Sequence, residues 1–437
     1  MPAPVISAAS AVLAHVPGLC RHGSKPSREL GRNPEVEAAF LRSLRTFEQA
    51  VAYAPHQAFL GALHPRALPK RPWVGAAANG EGRFAGVGEL MPEDEFLGLL
   101  AAVDDFGLVR LGGEEAGAIV ERLARHPLAQ HLDLERVAAA GGNAEAVAAE
   151  PGALGLHLGA DRLAAAIRRA HESDAALSSD VLLENLAGKA SATLALLRLL
   201  ADNDVDPDSI DYVIGSGEEA IGDRYQRGGG NLAKTVAASA GCGNASGCDV
   251  KNFCAAPIPA LVIASSLVAS GVFGRVAVVA GGSLPKVGMK FQGHLKHGLP
   301  VLEDVLGACA VLVEADDGRS PRVRLDSVGV HPVSAGSSNP KIMEALSIAP
   351  LDRLGMGCST STTTPPSCTT RRSPSRRARA TSPSATTRRS PPWPCAGATW
   401  TARTWAISSS GGGCPASPRR RVISPRRCAT FRTPAPG

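Results

Sequence analysis

No apolar run in this chain is long enough to cross a membrane. The longest, residues 255–269, is broken by Pro257, Pro259, Ser265 and Ser266, whereas a span needs ~18 uninterrupted apolar residues; it reads as a buried core helix. The apolar run at residues 5–19 has no cationic residue before it and contains His15 and Pro17, which fits a first β-strand better than a secretory leader. Paired cysteines are also missing. The first 357 residues hold five cysteines with no close pairing, as expected in a reducing cytoplasm. The glycine-rich stretches Gly215-Ser216-Gly217 with Gly222, and Gly228-Gly229-Gly230, lack a following Gly-Lys-Ser/Thr and have no placed acidic ribose partner, so nucleotide binding is not expected.

The last 80 of the 437 residues contain no Lys, Asp, Glu or His, yet they carry fourteen Arg. Subtracting fourteen from the formal net charge of +6 leaves −8 on residues 1–357. The body is therefore mildly acidic, and total charge says nothing for nucleic-acid binding. The same 80 residues hold half of the ten cysteines and three of the four tryptophans, and only Ile407, Val422, Ile423 and Phe431 fall outside Arg, Ser, Thr, Pro, Ala, Gly, Cys and Trp. Those eight amino acids have G or C at the second codon position. A GC-rich gene read out of frame produces this composition, because its third codon positions become second positions. Residues 358–437 are expected to be frameshifted and disordered rather than a functional basic arm.

In the body, Val36, Ala39, Phe40, Leu44, Phe47 and Val51 recur at helical spacing, predicting one helix over 35–52. Residues 57–63 read as a short strand, Pro92 followed by Glu93, Asp94 and Glu95 opens a helix, and 108–111 is a strand. Residues 113–180 are Ala-rich and read as mostly helix. A long amphipathic helix over 179–200 then leads to a strand at 210–214, a helix at 231–240, a strand at 248–253, the apolar helix, and a strand at 276–280. This alternation predicts an α/β protein with a largely parallel sheet covered on both faces.

The segment Cys248-Asp249-Val250-Lys251-Asn252-Phe253-Cys254-Ala255-Ala256 places Cys254 between a strand and a helix N-terminus. The helix dipole and free backbone N–H groups there favour a thiolate, hence a nucleophile; a buried structural cysteine is the competing reading. Cys242, Cys248 and Cys254 are six apart, but the last two fall at opposite ends of the expected strand, roughly 20 Å apart, so no metal site is expected. His294 and His297 fall in an expected loop as solvated or capping residues, and Lys286, Lys290 and Lys296 on a solvated face, with contact to an anionic substrate the competing reading.

Residues 191–314, with Asp206-Pro207-Asp208-Ser209-Ile210-Asp211-Tyr212-Val213-Ile214, the Cys254 turn and Glu303-Asp304-Val305-Leu306-Gly307-Ala308-Cys309-Ala310-Val311-Leu312-Val313, resemble the N-terminal half of the thiolase fold in its β-ketoacyl-ACP synthase III branch. With Arg32-Asn33-Pro34, Tyr53-Ala54-Pro55-His56-Gln57 and Gly88-Glu89-Leu90-Met91-Pro92, residues 1–357 resemble the β subunits of component C of glycine/sarcosine/betaine reductase.

That resemblance implies a thiolase-like fold of two βαβαβ-type halves in α/β/α layers, with the C-terminal half incomplete after about residue 357. Residues 1–180 would form its N-terminal part with a helical insertion, and 181–357 its core. It implies Cys254 as the catalytic nucleophile, with neither cofactor nor metal. Selenoprotein A would deliver a Se-carboxymethyl group, which passes through an acetyl thioester; with the component C α subunit and phosphate, acetyl phosphate is released. The expected chain is cytoplasmic and oligomeric, with no nucleic-acid or membrane partner. The alternatives are a β-ketoacyl-ACP synthase III-like condensing enzyme or a non-catalytic scaffold for the α subunit.

The resemblance implies a continuation through a Tyr-Ala-Thr-Glu-Leu-His-Asn-Pro-Glu type segment and a later Gly-Met-Pro-Gly-Phe run leading to Thr-Gln-Gly-His-Ile. Read one base out of frame, these give the residues at 364–372 and 413–424. The histidines of the second half-site then lie under the codons of Thr369 and Ile423, and none stands in this chain after His331.

Overall fold

The computed structural model describes residues 3–75, 82–218, 231–336 and 338–356. Seven strands form the main sheet: β1 (Pro4–His15), β2 (Phe84–Ala85), β3 (Gly88–Met91), β8 (Tyr212–Gly215), β9 (Ser246–Asp249), β10 (Val276–Ala280) and β11 (Val305–Ala315). The smaller sheet takes the intervening four, β4 (Val109–Gly112), β5 (Gly141–Gly142), β6 (Leu154–Leu158) and β7 (Arg162–Ile167). The main sheet runs in the order β2-β3-β1-β11-β10-β8-β9. Strands β1, β3, β8, β9 and β10 point one way, with β11 and β2 opposed. The expected α/β sheet is therefore present and largely parallel. Its longest ladder is antiparallel, pairing Pro4 with Ala315 through to His15 with Val305.

Period-two alternation assigns the faces. Ala277, Val279, Ala308, Ala310 and Leu312 enter one core, and Val276, Val278, Val311 and Val313 the other. Two long helices cover these faces. The first, α1 (Ser179–Asp202), lies across β1 and β11, with Leu183, Leu186, Leu194 and Leu197 in the larger core. The second, α3 (Pro257–Ala269), puts Ala260, Leu261, Ala264 and Val268 into the other core. A shorter helix between them in sequence, α2 (Leu232–Ser239), packs beside α1 and β9. The closeness of α1 to the sheet depends on Gly281, where an added Cβ would come within 2.2 Å of the Gly188 carbonyl oxygen.

The helix expected over 35–52 is two helices, Pro34–Arg42 and Phe47–Val51, because Thr46 and Gln49 form a capping box that starts the second. The strand expected at 57–63 is instead the end of a helix, Ala54–Phe59, with Pro55 in its first turn. Residues 113–180 are not mostly helix: between helices lie β5 and the β6–β7 hairpin, whose turn includes Gly159 at φ +60°. Helix α1 is buried almost all round rather than amphipathic. Even Lys189 lies inside, its Nζ 2.6 Å from Asp105 Oδ2. Helix α3 is less buried than expected, with Ile263 39% exposed.

Candidate active site

Adjacent parallel strands β10, β8 and β9 deliver their C-terminal ends to one edge of the sheet, where open α/β sheets form their ligand crevices. Three side chains follow those ends. Glu218 stands three residues after β8, Cys254 five after β9, and Lys286 six after β10.

The loop after β8 is fixed at each residue. Gly215 must be glycine, since a Cβ there would lie 2.4 Å from Asp249 Oδ1. That Asp249 carboxylate accepts the Leu232 and Ala233 N–H groups at 2.8 and 2.9 Å, so it ties the end of β9 to the start of α2. The Ser216 N–H and hydroxyl both donate to the Val279 carbonyl, at 2.8 and 2.9 Å, which locks the loop to β10. Val250 N–H donates to the Gly215 carbonyl at 2.7 Å, and Lys251 Nζ to the Gly217 carbonyl at 3.4 Å. Gly215-Ser216-Gly217 is thus a braced connection. Gly222 and Gly228-Gly229-Gly230 lie outside the described residues.

Strand β9 ends at Asp249, four residues earlier than expected, so Cys254 is not on it. Cys254 occupies a 3-10 turn, Phe253–Ala255, that leads into α3. Phe253 adopts φ +49°, a left-handed conformation costly for a residue with a Cβ, and is 80% exposed. Cys254 is also exposed, alone in this among the described cysteines.

Burial pushes the Cys254 thiol up, and its hydrogen bond to the Glu218 carboxylate pushes it further; Lys286 and the residue's own N–H work in the opposite direction. This corrects the expected thiolate. The first turn of α3 offers few free N–H groups: Pro257 and Pro259 have none, and Ala260 N–H is spent on the Ala256 carbonyl. Ala255 and Ala256 N–H groups are likewise used, on the carbonyls of Asn252 and Phe253.

Glu218 is held from its other side. Lys286 Nζ lies 3.5 Å from Glu218 Oε2, with the Glu218 side chain 10% exposed. Its Oε1 is shielded from solvent and meets no hydrogen-bond donor among the described residues. Lys286 lies on a solvated face as expected, its side chain 54% exposed, and reaches this carboxylate from there.

Three of the other described cysteines are poor nucleophiles. Burial holds Cys20 well up, and Cys242 and Cys309 at about 12. Cys248 faces Tyr212 from within β9. Among the described residues no group of three or more His, Cys, Asp or Glu is placed to hold a metal. His294 lies in a short helix, Phe291–Lys296, rather than a loop, and His297 caps its end.

A second polar cluster, not foreseen, sits at the same end of the sheet. Asp304, just before β11, takes Arg45 Nε at 2.8 Å, a second bond from Arg45 Nη2, and His15 Nε2 at 3.3 Å. Burial opposes its charge, but Arg45 and His15 hold the carboxyl below the usual carboxylate range. Burial and the neighbouring Arg45 push His56 down to about 3. The neutral ring donates Nδ1–H to the Ala50 carbonyl at 2.7 Å, leaving Nε2 to accept from Arg45. A separate cavity of about 260 Å³, lined by Asp105, His131, Arg136, Thr193 and Thr235, includes neither Cys254 nor Glu218. No described helix is long and apolar enough to cross a membrane.

No family model matches the chain. Among curated proteins it is similar to the glycine/sarcosine/betaine reductase complex component C subunit beta of Peptoclostridium acidaminophilum, 42% identical over 364 residues that cover 81% of this chain and 70% of that protein. Its overlaps with solved structures are partial. With the priming β-ketosynthase of the R1128 polyketide pathway the identity is 27%, over 30% of this chain and 36% of that one, at a TM-score of 0.23. With 3-oxoacyl-[acyl-carrier-protein] synthase III of Aquifex aeolicus it is 20%, over 30% and 40%, at 0.24. With cerulenin-bound OleA of Xanthomonas campestri it is 18%, over 39% and 57%, at 0.31.

Proposed function

This chain belongs to the family of the glycine/sarcosine/betaine reductase complex component C subunit beta, and from that premise we propose that it is the acyl-handling β subunit of such a component C, built on a thiolase-like unit. In this reading an α subunit and selenoprotein A are its partners. The Se-carboxymethyl group of selenoprotein A is turned into an acetyl thioester, and phosphate takes the acetyl group as acetyl phosphate. Cys254 takes or positions the acetyl group.

The observation that carries this reading is the exposure of Cys254 at the convergence of three strand ends, while Cys20, Cys242 and Cys309 are held as inert thiols by burial. Histidine, the usual proton carrier of acyl transfer, is absent after His331. We therefore expect acyl uptake from this chain as it stands, and full turnover only with the second half-site supplied.

Incubation with an isotopically labelled acetyl thioester, followed by peptide mapping under mildly acidic conditions, tests the reading. Label is expected on the peptide containing Cys254. Label confined to other residues removes Cys254 from the reaction.

A further inference from the structure

We propose that Glu218 is the proton acceptor for Cys254, with Lys286 as its positioning partner, so that acyl transfer at this edge of the sheet uses a Cys–Glu–Lys relay. This rests on the reading of Cys254 as the acyl-accepting residue and adds the group that takes its proton.

Three observations converge on it. The sheet order β10-β8-β9 makes Glu218 the central member, with Lys286 and Cys254 contributed by the strands on either side. The Glu218 side chain is nine-tenths buried and braced by the Ser216 lock on β10, so its carboxylate is presented rather than free to swing. The two carboxylate oxygens are divided: Oε2 faces Lys286 Nζ at 3.5 Å, and Oε1 is out of solvent with no hydrogen-bond donor among the described residues. The Cys254 thiol is hydrogen-bonded to this carboxylate. A buried carboxylate oxygen left without a partner is costly, so Glu218 Oε1 is open to take a proton from Cys254. The charged groups around the thiol are Glu218 and Lys286, with Lys251 held on the neighbouring Gly217 carbonyl.

The chemistry follows from these positions. A resting thiolate is disfavoured beside a carboxylate, so the thiol keeps its proton until an acyl carbonyl arrives. As Cys254 Sγ bonds to the carbonyl carbon, the S–H proton moves to Glu218 Oε1. Collapse of the tetrahedral adduct breaks the bond to the departing thiol, and that thiol takes the proton from Glu218. No oxidant or reductant is needed. Lys286 offsets the repulsion between Glu218 and the developing sulfur charge.

The test uses the full chain and two probes, iodoacetamide and the acetyl thioester of N-acetylcysteamine, each read at Cys254 by mass spectrometry across pH. Alkylation needs only the thiolate, whereas acyl transfer also needs a place for the proton. Glu218→Gln should move the alkylation midpoint to lower pH, with a roughly tenfold faster reaction near neutrality, as expected on removing a neighbouring like charge. The same variant should slow acyl transfer by about 100-fold. Opposite signs from one substitution are the signature. Glu218→Asp, which keeps the charge but shortens the reach, should alkylate like the parent and remain slow in acyl transfer. Lys286→Met should raise the alkylation midpoint.

If Glu218→Gln speeds both reactions, Glu218 merely suppresses the thiolate and the relay is wrong. If it changes neither, the contact itself is wrong. If the parent takes no acyl group at Cys254, the relay falls together with the nucleophile reading; a shifted alkylation midpoint would still establish the Glu218 contact alone.

Discussion

Asp304 is 0% exposed and its charge is matched by Arg45 through two bonds and by His15 through one. Breaking such a pair from one side strands the remaining charge, which costs about 3–5 kcal/mol. Asp304→Asn should lower unfolding stability by that amount in urea titration; a loss below about 1 kcal/mol would show that the cluster is solvated. The pair also has a pH signature. A carboxyl held below its ordinary value contributes stability that is complete above about pH 4 and lost as the pH falls further. His56 adds to this on its own window. Its folded value is depressed to about 3 by burial and Arg45, so its contribution is complete above about pH 6.5 and is lost progressively on acidification toward 3. His22, pushed to about 4 by burial, acts in the same direction. Unfolding free energy measured between pH 6.5 and 3 should fall by up to about 1.4 kcal/mol per pH unit for each such proton. His56→Gln should flatten the slope by up to one proton; an unchanged slope would place a charged imidazole in the fold.

At the scale of elements, the two long helices invite contrasting substitutions. Leu194 is fully buried in α1 beneath the sheet, whereas Ile263 on α3 is 39% exposed. Leu194→Ala should cost about 2–5 kcal/mol, and Ile263→Lys should stay within about 0.5 kcal/mol. Equal losses at both positions would mean that the outer face of α3 is covered in solution.

The same elements show what was readable in the sequence. Five consecutive Val and Ala residues, the pattern of a strand buried on both faces, located β10 at its observed ends. Pro92 with three acids located the helix Glu93–Ala102, but the acids are not simple dipole partners. Glu93 accepts N–H groups from Gly18, Leu19 and Gly159 at 2.6, 3.3 and 2.7 Å, and Glu95 pairs with Arg83. Strand β7 was unreadable because Ala164, Ala165 and Ala166 have weak strand preference, and only packing against β4 and β6 selects that conformation. The place of Cys254 beside a helix start was legible from the prolines and apolar run that follow it. Glu218 and Lys286 were not, since their nearness to it depends on strand order, which no local pattern encodes.

For the whole molecule, strands from residues 4–91 and 212–315 share one sheet, so the N-terminal segment and the Cys254 segment build a single unit around β1 and β11. We propose that residues 358–437 are this gene's continuation read in the wrong frame. Their composition supports this. Sequencing the gene should find a base lost or gained near the codon for Gly357. The restored frame should then encode histidines at the codons now read as Thr369 and Ile423. An intact frame with no such change would contradict the proposal.

The central claim, that Cys254 handles the acyl group, is tested most directly by acetyl phosphate formation with the α subunit, using the frame-restored protein before and after Cys254→Ser. Loss of at least about 100-fold in rate, with folding unchanged, is the predicted result. Full activity in the serine variant would contradict it.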